Sequence, residues 1–471
     1  MAVERDHRAA SEGGSLRLHN ARLVHADGRV IAGGLDIERG RIVRVFAGAS
    51  GAGADPAVAQ IDAGGRFVLP GLIDPHVQLY PRPQRAEYAT ETRSAALGGV
   101  TTIVKMHRDL AGYDPGAFWS EVADAEAVAC VDFAYHLALM TEEQVRRAAE
   151  YAAAFELSSF KLFTAYKGEE GAAIGIQGID DGLLLDALRR IAGLGGVALV
   201  HCENQELAAA ALREVRGRGE DGLAAFAASR PPLVEAEAVA RVCTLAAHAG
   251  AALYVVHVTC RDALEAALRA RAAGCRVFVE TEPHYLTDTE HSPAGALAKV
   301  IPPLRSDADR DALWEALAAG RIDTIGSDHV AHERATKAGS IWDARLGFPG
   351  IATILPVLLS EAVAARGVSL PRIAALTSTR AAEIFGLHRK GRLAPGMDGD
   401  FVIVDLDLER EVDAAMLGSS SDFSIYEGRT LRGWPVLTVS RGVVVMRDGE
   451  AVGRQGHGRY VRRRSSTKEA S

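Results

Sequence analysis

Five side chains able to bind a metal ion or move a proton share one local setting, the polar end of a short apolar run. His76 ends LIDPH, Lys161 lies in SSFKLF, His201 ends VALVH, His257 follows LYVV and Asp328 follows DTIGS. An imidazole or a carboxylate left unpaired at such a place is costly. Any one of them has a bland explanation as a capping or surface residue, and Lys161 alone reads as a lysine paired with an acid. Five on separate runs do not share that explanation. Imidazoles, a carboxylate and a further oxygen donor converging on one point are what a divalent cation needs, and such a cation activates water and polarises a carbonyl. Residues two apart on a strand point to one face, so Gln78 projects beside His76 as a sixth member.

The elements that must bring these residues together follow from hydrophobic patterning. Eight apolar runs, VLPGLID, TTIVKMH, DFAYHLAL, SSFKLF, VALVHCE, LYVVHVT, RVFVETEP and DTIGSDH, alternate with Ala/Leu-rich amphipathic stretches such as TEEQVRRAAEYAAAF and RDALEAALRARAAG. Strands alternating with helices in this way predict an α/β fold, a (β/α)8 TIM barrel over 69–390. In such a barrel catalytic groups collect at the C-terminal ends of the strands, where all six residues fall. Residues 15–68 and 391–456 have a different texture, short alternating runs with turn signals at Asp27-Gly28 and Arg39-Gly40. They predict one small β-sandwich domain formed from both chain ends. Residues 1–14 read as a disordered tail. Residues 457–471, with Arg462–Arg464, read as a C-terminal arm that is solvated or makes a subunit contact.

Bulk properties narrow the partners. The chain has 471 residues, 48% hydrophobic and 24% charged, which is ample material for a barrel with an accessory domain. A net charge of −8 argues against nucleic acid or an anionic membrane as partner. The first residues, MAVERDHRAASEGGS, contain no apolar segment of signal-peptide or membrane-spanning type. Five scattered cysteines without a CxxC pair read as reduced thiols, and the expected location is the cytoplasm.

The motifs, taken in order, resemble the cyclic-amide branch of the amidohydrolase superfamily, the dihydropyrimidinases, hydantoinases, allantoinases and dihydroorotases. LPGLIDPHVQL is similar to its opening strand and SFKLFTAY (159–166) to its lysine motif. VHCEN (200–204), VVHVTC (255–260) and GSDHVAH (326–332) resemble its later strand ends, and ETEPHYL, IPPLR and GFPGIAT follow in register. The resemblance covers about residues 15–460. It implies two zinc ions, one held by His76, the position of Gln78, Lys161 and Asp328, the other by Lys161, His201 and His257. It implies a carboxylated Lys161 as the bridging ligand, and a metal-bound hydroxide that opens a cyclic amide with Asp328 as general base and acid. Tyr166 would donate to the developing oxyanion, and substrate amides would meet the backbone near Ile301 and Leu346. It also implies a homo-oligomer, a tetramer or dimer.

Two departures stand out. The family motif is His-x-His, whereas here the second residue is Gln78, a neutral amide and a weaker zinc ligand, so one or two ions per subunit are compatible with the sequence. TTIVKMHR (101–108) places Lys105, His107 and Arg108 at the end of the second strand, near the mouth of the barrel. Arg108, or Arg82 or Arg85 in the preceding loop, suits a substrate carboxylate. The alternatives to a ring-opening enzyme are a non-catalytic dihydropyrimidinase-related scaffold with a degraded metal site, and a mononuclear N-acyl amidohydrolase. Five of six ligand positions and the tyrosine favour the enzyme.

Overall fold

The computed structural model describes residues 14–48, 58–80 and 84–463. The expected disordered N-terminal tail up to residue 13, Arg82 and the residues after Arg463 lie outside them.

Eight parallel strands form one sheet in sequence order: β1 (Leu72–Val77), β2 (Val100–His107), β3 (Asp132–Ala138), β4 (Ser159–Phe163), β5 (Val197–His201), β6 (Ala252–Val255), β7 (Val277–Thr281) and β8 (Thr324–Ile325). The ends of the sheet meet where Val77 pairs with His329 and the Gln78 N–H donates to the His329 carbonyl at 3.0 Å, giving a nearly closed barrel. Strands covered on both faces read as continuous apolar runs, which is why these segments were legible. Ile73, Val104, Ala134, Leu199 and Tyr254 fill the interior around Phe385, which comes from the helix Arg380–Phe385.

Helices between the strands start at side-chain caps close to the strand ends. Asn204 accepts from the Glu206 and Leu207 N–H groups three residues after His201, and Asp180 accepts from Leu183. The chain therefore has little freedom between the end of β5 and the helix Gln205–Gly217.

Segments from both chain ends form a second sheet of nine mostly antiparallel strands. The expected β-sandwich is, by its hydrogen bonds, one continuous sheet curled round Leu18, Leu35, Ile37, Phe401 and Val439. The predicted turn at Arg39-Gly40 is present, with φ of 48° and 77°. The run VLPGLID is not a single strand. Phe67–Pro70 pairs antiparallel with Phe401–Val404 in the second sheet, and only after Gly71 does the chain enter the barrel. A side chain at Gly71 would run into Thr101 on β2.

The C-terminal arm also differs from expectation. Instead of leaving the surface, the chain follows β3, with the Val461 N–H donating to Phe133 at 2.7 Å. Arg463 is wholly buried, with Nη1 donating to Ser159 Oγ at 2.7 Å and Nη2 to the Tyr135 carbonyl.

Candidate active site

One cavity at the C-terminal ends of the strands is lined by His76, Gln78, Lys161, His201, His257, Asp328, Tyr166, Arg108, Ile301 and Leu346. Three of them, Tyr166, His257 and Asp328, have left-handed backbones with φ of 64°, 40° and 45°. Non-glycine residues avoid this region unless their surroundings enforce it. Here they do. Gln205 Oε1 accepts from the Tyr166 N–H at 2.8 Å, Glu280 Oε2 accepts from the His257 N–H at 3.2 Å, and Ser327 Oγ accepts from the His329 N–H at 3.1 Å. Ser327 in turn donates to Asp74, and the His329 ring bonds Glu91 at 3.0 Å, so the turn carrying Asp328 is tied to β1 and to the helix Gln84–Leu97.

The six polar groups face one another. His201 Nδ1 and His257 Nε2 are 2.9 Å apart, Asp328 Oδ1 is 3.3 Å from His76 Nε2, and Gln78 Nε2 donates to the same oxygen at 3.0 Å. Carboxylates on the outer edges orient the imidazoles. His76 Nδ1 meets Glu280 Oε2 at 3.0 Å, and His201 Nε2 meets Glu203 Oε2 at 2.9 Å. Such partners hold the ring nitrogen that faces the cavity free of its proton, as a ligand nitrogen requires. Burial pushes both rings the same way, His76 down to about 3 and His201 below the ordinary histidine range. Burial raises Glu203, but the adjacent Arg230 guanidinium and His201 outweigh it and hold the carboxyl at about 2. Burial lowers the Lys161 ammonium to about 8.

Several features were not foreseen. Lys105 and His107 do not stand at the mouth. Alternation along β2 turns both outward, where they lie 3.2 and 3.4 Å from Glu121 under the helix Pro115–Glu126. Arg85 is exposed and paired with Asp124, whereas Arg108 reaches the cavity and stacks over Tyr80 at 4.6 Å. Arg345 lines the same cavity and was missed, since nothing local in WDARLGF marks it. The Leu346 carbonyl accepts from His332 Nε2 at 3.0 Å. Glu280, Glu282 and His284 were read only as a landmark motif, yet all three are buried against this site. Glu280 fits there because β8 is followed by Gly326, at which any side chain would strike its carboxylate.

The donor set suits a divalent cation: two imidazole nitrogens 2.9 Å apart, and, as a separate group, His76, Glu280 and Glu282 with one ligand atom each within 4.8 Å of one another.

Comparison with known proteins agrees with this architecture. The amidohydrolase family model matches residues 67–445. The L-hydantoinase of Paenarthrobacter aurescens is 33% identical over 460 residues, 95% of this chain and 97% of its own. An allantoinase of Escherichia coli (strain SE11) is 34% identical over 392 residues, covering 82% of this chain and 86% of its own. The solved structure of L-hydantoinase (dihydropyrimidinase) from Arthrobacter aurescens superimposes with a TM-score of 0.89 at 32% identity, over 95% of this chain and 99% of that one. The family is generally metal-dependent. Motif order, barrel and family match together make this chain a member of the amidohydrolase family.

Proposed function

We propose that the chain hydrolyses the ring amide of a cyclic ureide or imide such as a hydantoin, a dihydropyrimidine or allantoin. The reading includes zinc held by His76, Gln78, Lys161, His201, His257 and Asp328, with Lys161 carboxylated. The observation that carries it is the meeting of these six residues, from the ends of five strands, in one cavity. The hydantoinase and allantoinase relatives support the substrate class. A bound divalent cation would supply Lewis acidity toward the carbonyl and acidify water.

The chain's own groups divide the remaining work. Asp328 Oδ1 accepts from Gln78, which leaves the second oxygen to take a proton from the attacking water and return it to the leaving ring nitrogen. Tyr166 is a donor for the carbonyl oxygen as it gains charge, and burial pushes its hydroxyl well above the ordinary range, so it keeps its proton. Lys161 is 2% exposed and its amine is 5.3 Å from the Phe163 ring centre. Burial favours the neutral amine, the form that takes up CO2 to give a carbamate. Backbone groups at Ile301 and Leu346 border the cavity where the ring amides would lie, and Arg108 and Arg345 offer guanidinium groups to an acidic substituent.

The test is a ring-opening assay on hydantoin, dihydrouracil and allantoin, with linear N-acyl amino acids alongside. Ring opening that falls about 10³-fold in Asp328→Asn is expected. Turnover of the linear substrates alone would replace this reading with N-acyl hydrolysis. No turnover together with no bound metal would point to the scaffold. Carbon-13 labelled bicarbonate should give a carbamate signal that Lys161→Ala abolishes. A dimer or tetramer, to be measured by light scattering, and a cytoplasmic location complete the proposal. Among the described residues no helix is long and apolar enough to cross a membrane.

A further inference from the structure

The β1–β2 ladder is interrupted between Asp74 and Val77, so regular sheet pairing does not hold the peptide that joins Pro75 to His76. Side chains hold it instead. Its N–H donates to Asp74 Oδ1 at 3.1 Å, and the same oxygen accepts from the Ser327 N–H, next to Asp328, at 3.1 Å. Its carbonyl meets His136 Nε2 at 3.0 Å, reached across the barrel interior from β3. The peptide plane from which the His76 ring projects is therefore gripped at both edges.

The contacts continue outward from His136. Its Nδ1 lies 2.6 Å from Ser159 Oγ on β4, and the same hydroxyl oxygen accepts from Arg463 Nη1 at 2.7 Å. His136, Ser159 and Arg463 are each 0% exposed, so no solvent proton competes along this path. The two ends of the chain of bonds fix every proton in it. A peptide carbonyl only accepts, so His136 Nε2 carries the ring hydrogen. A guanidinium only donates, so Ser159 Oγ receives that bond and turns its own hydrogen to Nδ1. Burial first, and the Arg463 charge second, push the ring well below the ordinary histidine range and keep it neutral. The bond made at one ring nitrogen selects the proton on the other, and a single tautomer satisfies all four groups. The ring also meets Phe385 edge-on with centres 4.7 Å apart, which limits its rotation.

We propose that His136 is a positioning residue for His76, locked as its Nε2–H tautomer by Arg463 through Ser159, and that the C-terminal arm thereby belongs to the working site. His136 does not line the cavity and acts only through the backbone. By holding the Pro75 carbonyl it keeps the backbone angles of His76, and with them the ring, within the ~0.5 Å that a site geometry tolerates. The inference rests on the reading of His76 as a cation ligand and on no particular substrate.

Neutron diffraction from crystals of the full chain locates the hydrogens without any variant. A hydrogen on His136 Nε2, none on Nδ1, and the Ser159 hydroxyl hydrogen turned to Nδ1 are expected. A hydrogen on Nδ1 would overturn the lock. In solution, His136→Leu should lower zinc retention against a chromogenic chelator about tenfold, with circular dichroism as the folding control. His136→Gln, whose amide N–H reaches toward the Pro75 carbonyl, should stay within about twofold of wild type. Equal loss in the two variants would assign the effect to packing of the ring and refute the proposal, as would unchanged retention in a folded His136→Leu protein. The underlying reading fails separately. Zinc absent from the wild-type protein, with Nε2 protonated as expected, sinks His76 as a ligand and ends the inference with it, whereas bound zinc with a hydrogen on Nδ1 sinks the inference alone.

Discussion

Gln78 gives an amide hydrogen to Asp328 Oδ1 at 3.0 Å, and His76 Nε2 stands 3.3 Å from the same oxygen. The proposed proton carrier is therefore held by a neutral donor, in a place where a second imidazole would compete with it for a cation. Gln78→His should raise zinc retention about tenfold or more against a chromogenic chelator, because an imidazole is a far better zinc ligand than an amide. Identical retention in the two proteins would mean that residue 78 does not reach the ion.

Glu203 ties His201 to Arg230, with contacts of 2.9 and 3.0 Å to one carboxylate oxygen. Glu203→Gln keeps the shape, weakens the orientation of His201 and leaves Arg230 with Glu170 alone. Metal affinity should drop about 10- to 100-fold. Stability should drop by about 3 kcal/mol, since a buried pair has lost one charge. Chelator competition and urea unfolding measure the two effects separately. A loss of stability at unchanged affinity would make Glu203 purely structural.

Arg108 and Arg345 line the cavity from two connections, after β2 and after β8. Arg108→Ala should raise KM about tenfold for ring substrates bearing a carboxylate and leave neutral ones nearly unchanged, the difference being one charge-assisted contact. Equal KM changes for both classes would remove Arg108 from substrate recognition.

These predictions rest on features that differ in how far the sequence reveals them. The eight strands could be read because burial on both faces writes an apolar run that ends in polar residues. Phe67–Leu69 and Leu72–Ile73 read as two short segments, but that they belong to different sheets could not be read, since only their pairing partners show it. Ordered motifs pointed to nine of the residues that line the cavity, and the basic departure after β2 pointed to Arg108. Glu282 and His284 carry no such signal, because an acid before Pro283 looks like an ordinary helix start and only the closed barrel shows it buried. Period-two alternation on β2 was sufficient to separate Lys105 and His107 from the mouth, and reading the three basic residues as one cluster hid it. In the arginine-rich tail Arg462 is exposed, as local charge predicts, whereas Arg463 is buried because β3 and β4 supply carbonyl and hydroxyl acceptors.

Arg463 therefore offers a test of the fold itself. It stays charged although burial lowers it to about 10, and it reaches Ser159 and the Tyr135 carbonyl together. Arg463→Ala should cost about 2–4 kcal/mol and lower Tm, and Arg463→Lys should recover little, since one ammonium cannot reproduce the planar fork. A tail that is solvated in solution would tolerate both changes.

Glu121 gives a pH prediction away from the cavity. Burial raises its carboxyl, but the His107 ring 3.4 Å away and the charge of Lys105 outweigh that and hold it at about 2, against an ordinary value of 4.5. A depressed folded-state value means that, as pH falls, the unfolded chain takes up the proton before the folded one does. The stabilisation is therefore complete above about 4.5 and is lost as pH falls toward 2. Its upper bound is about 3 kcal/mol. The stability gap between wild type and Glu121→Gln should be widest near neutral pH and shrink across this acid window, as read from urea unfolding at a series of pH values. A gap that is constant with pH would show that the carboxylate's charge is not what holds Lys105 and His107 beneath the helix Pro115–Glu126.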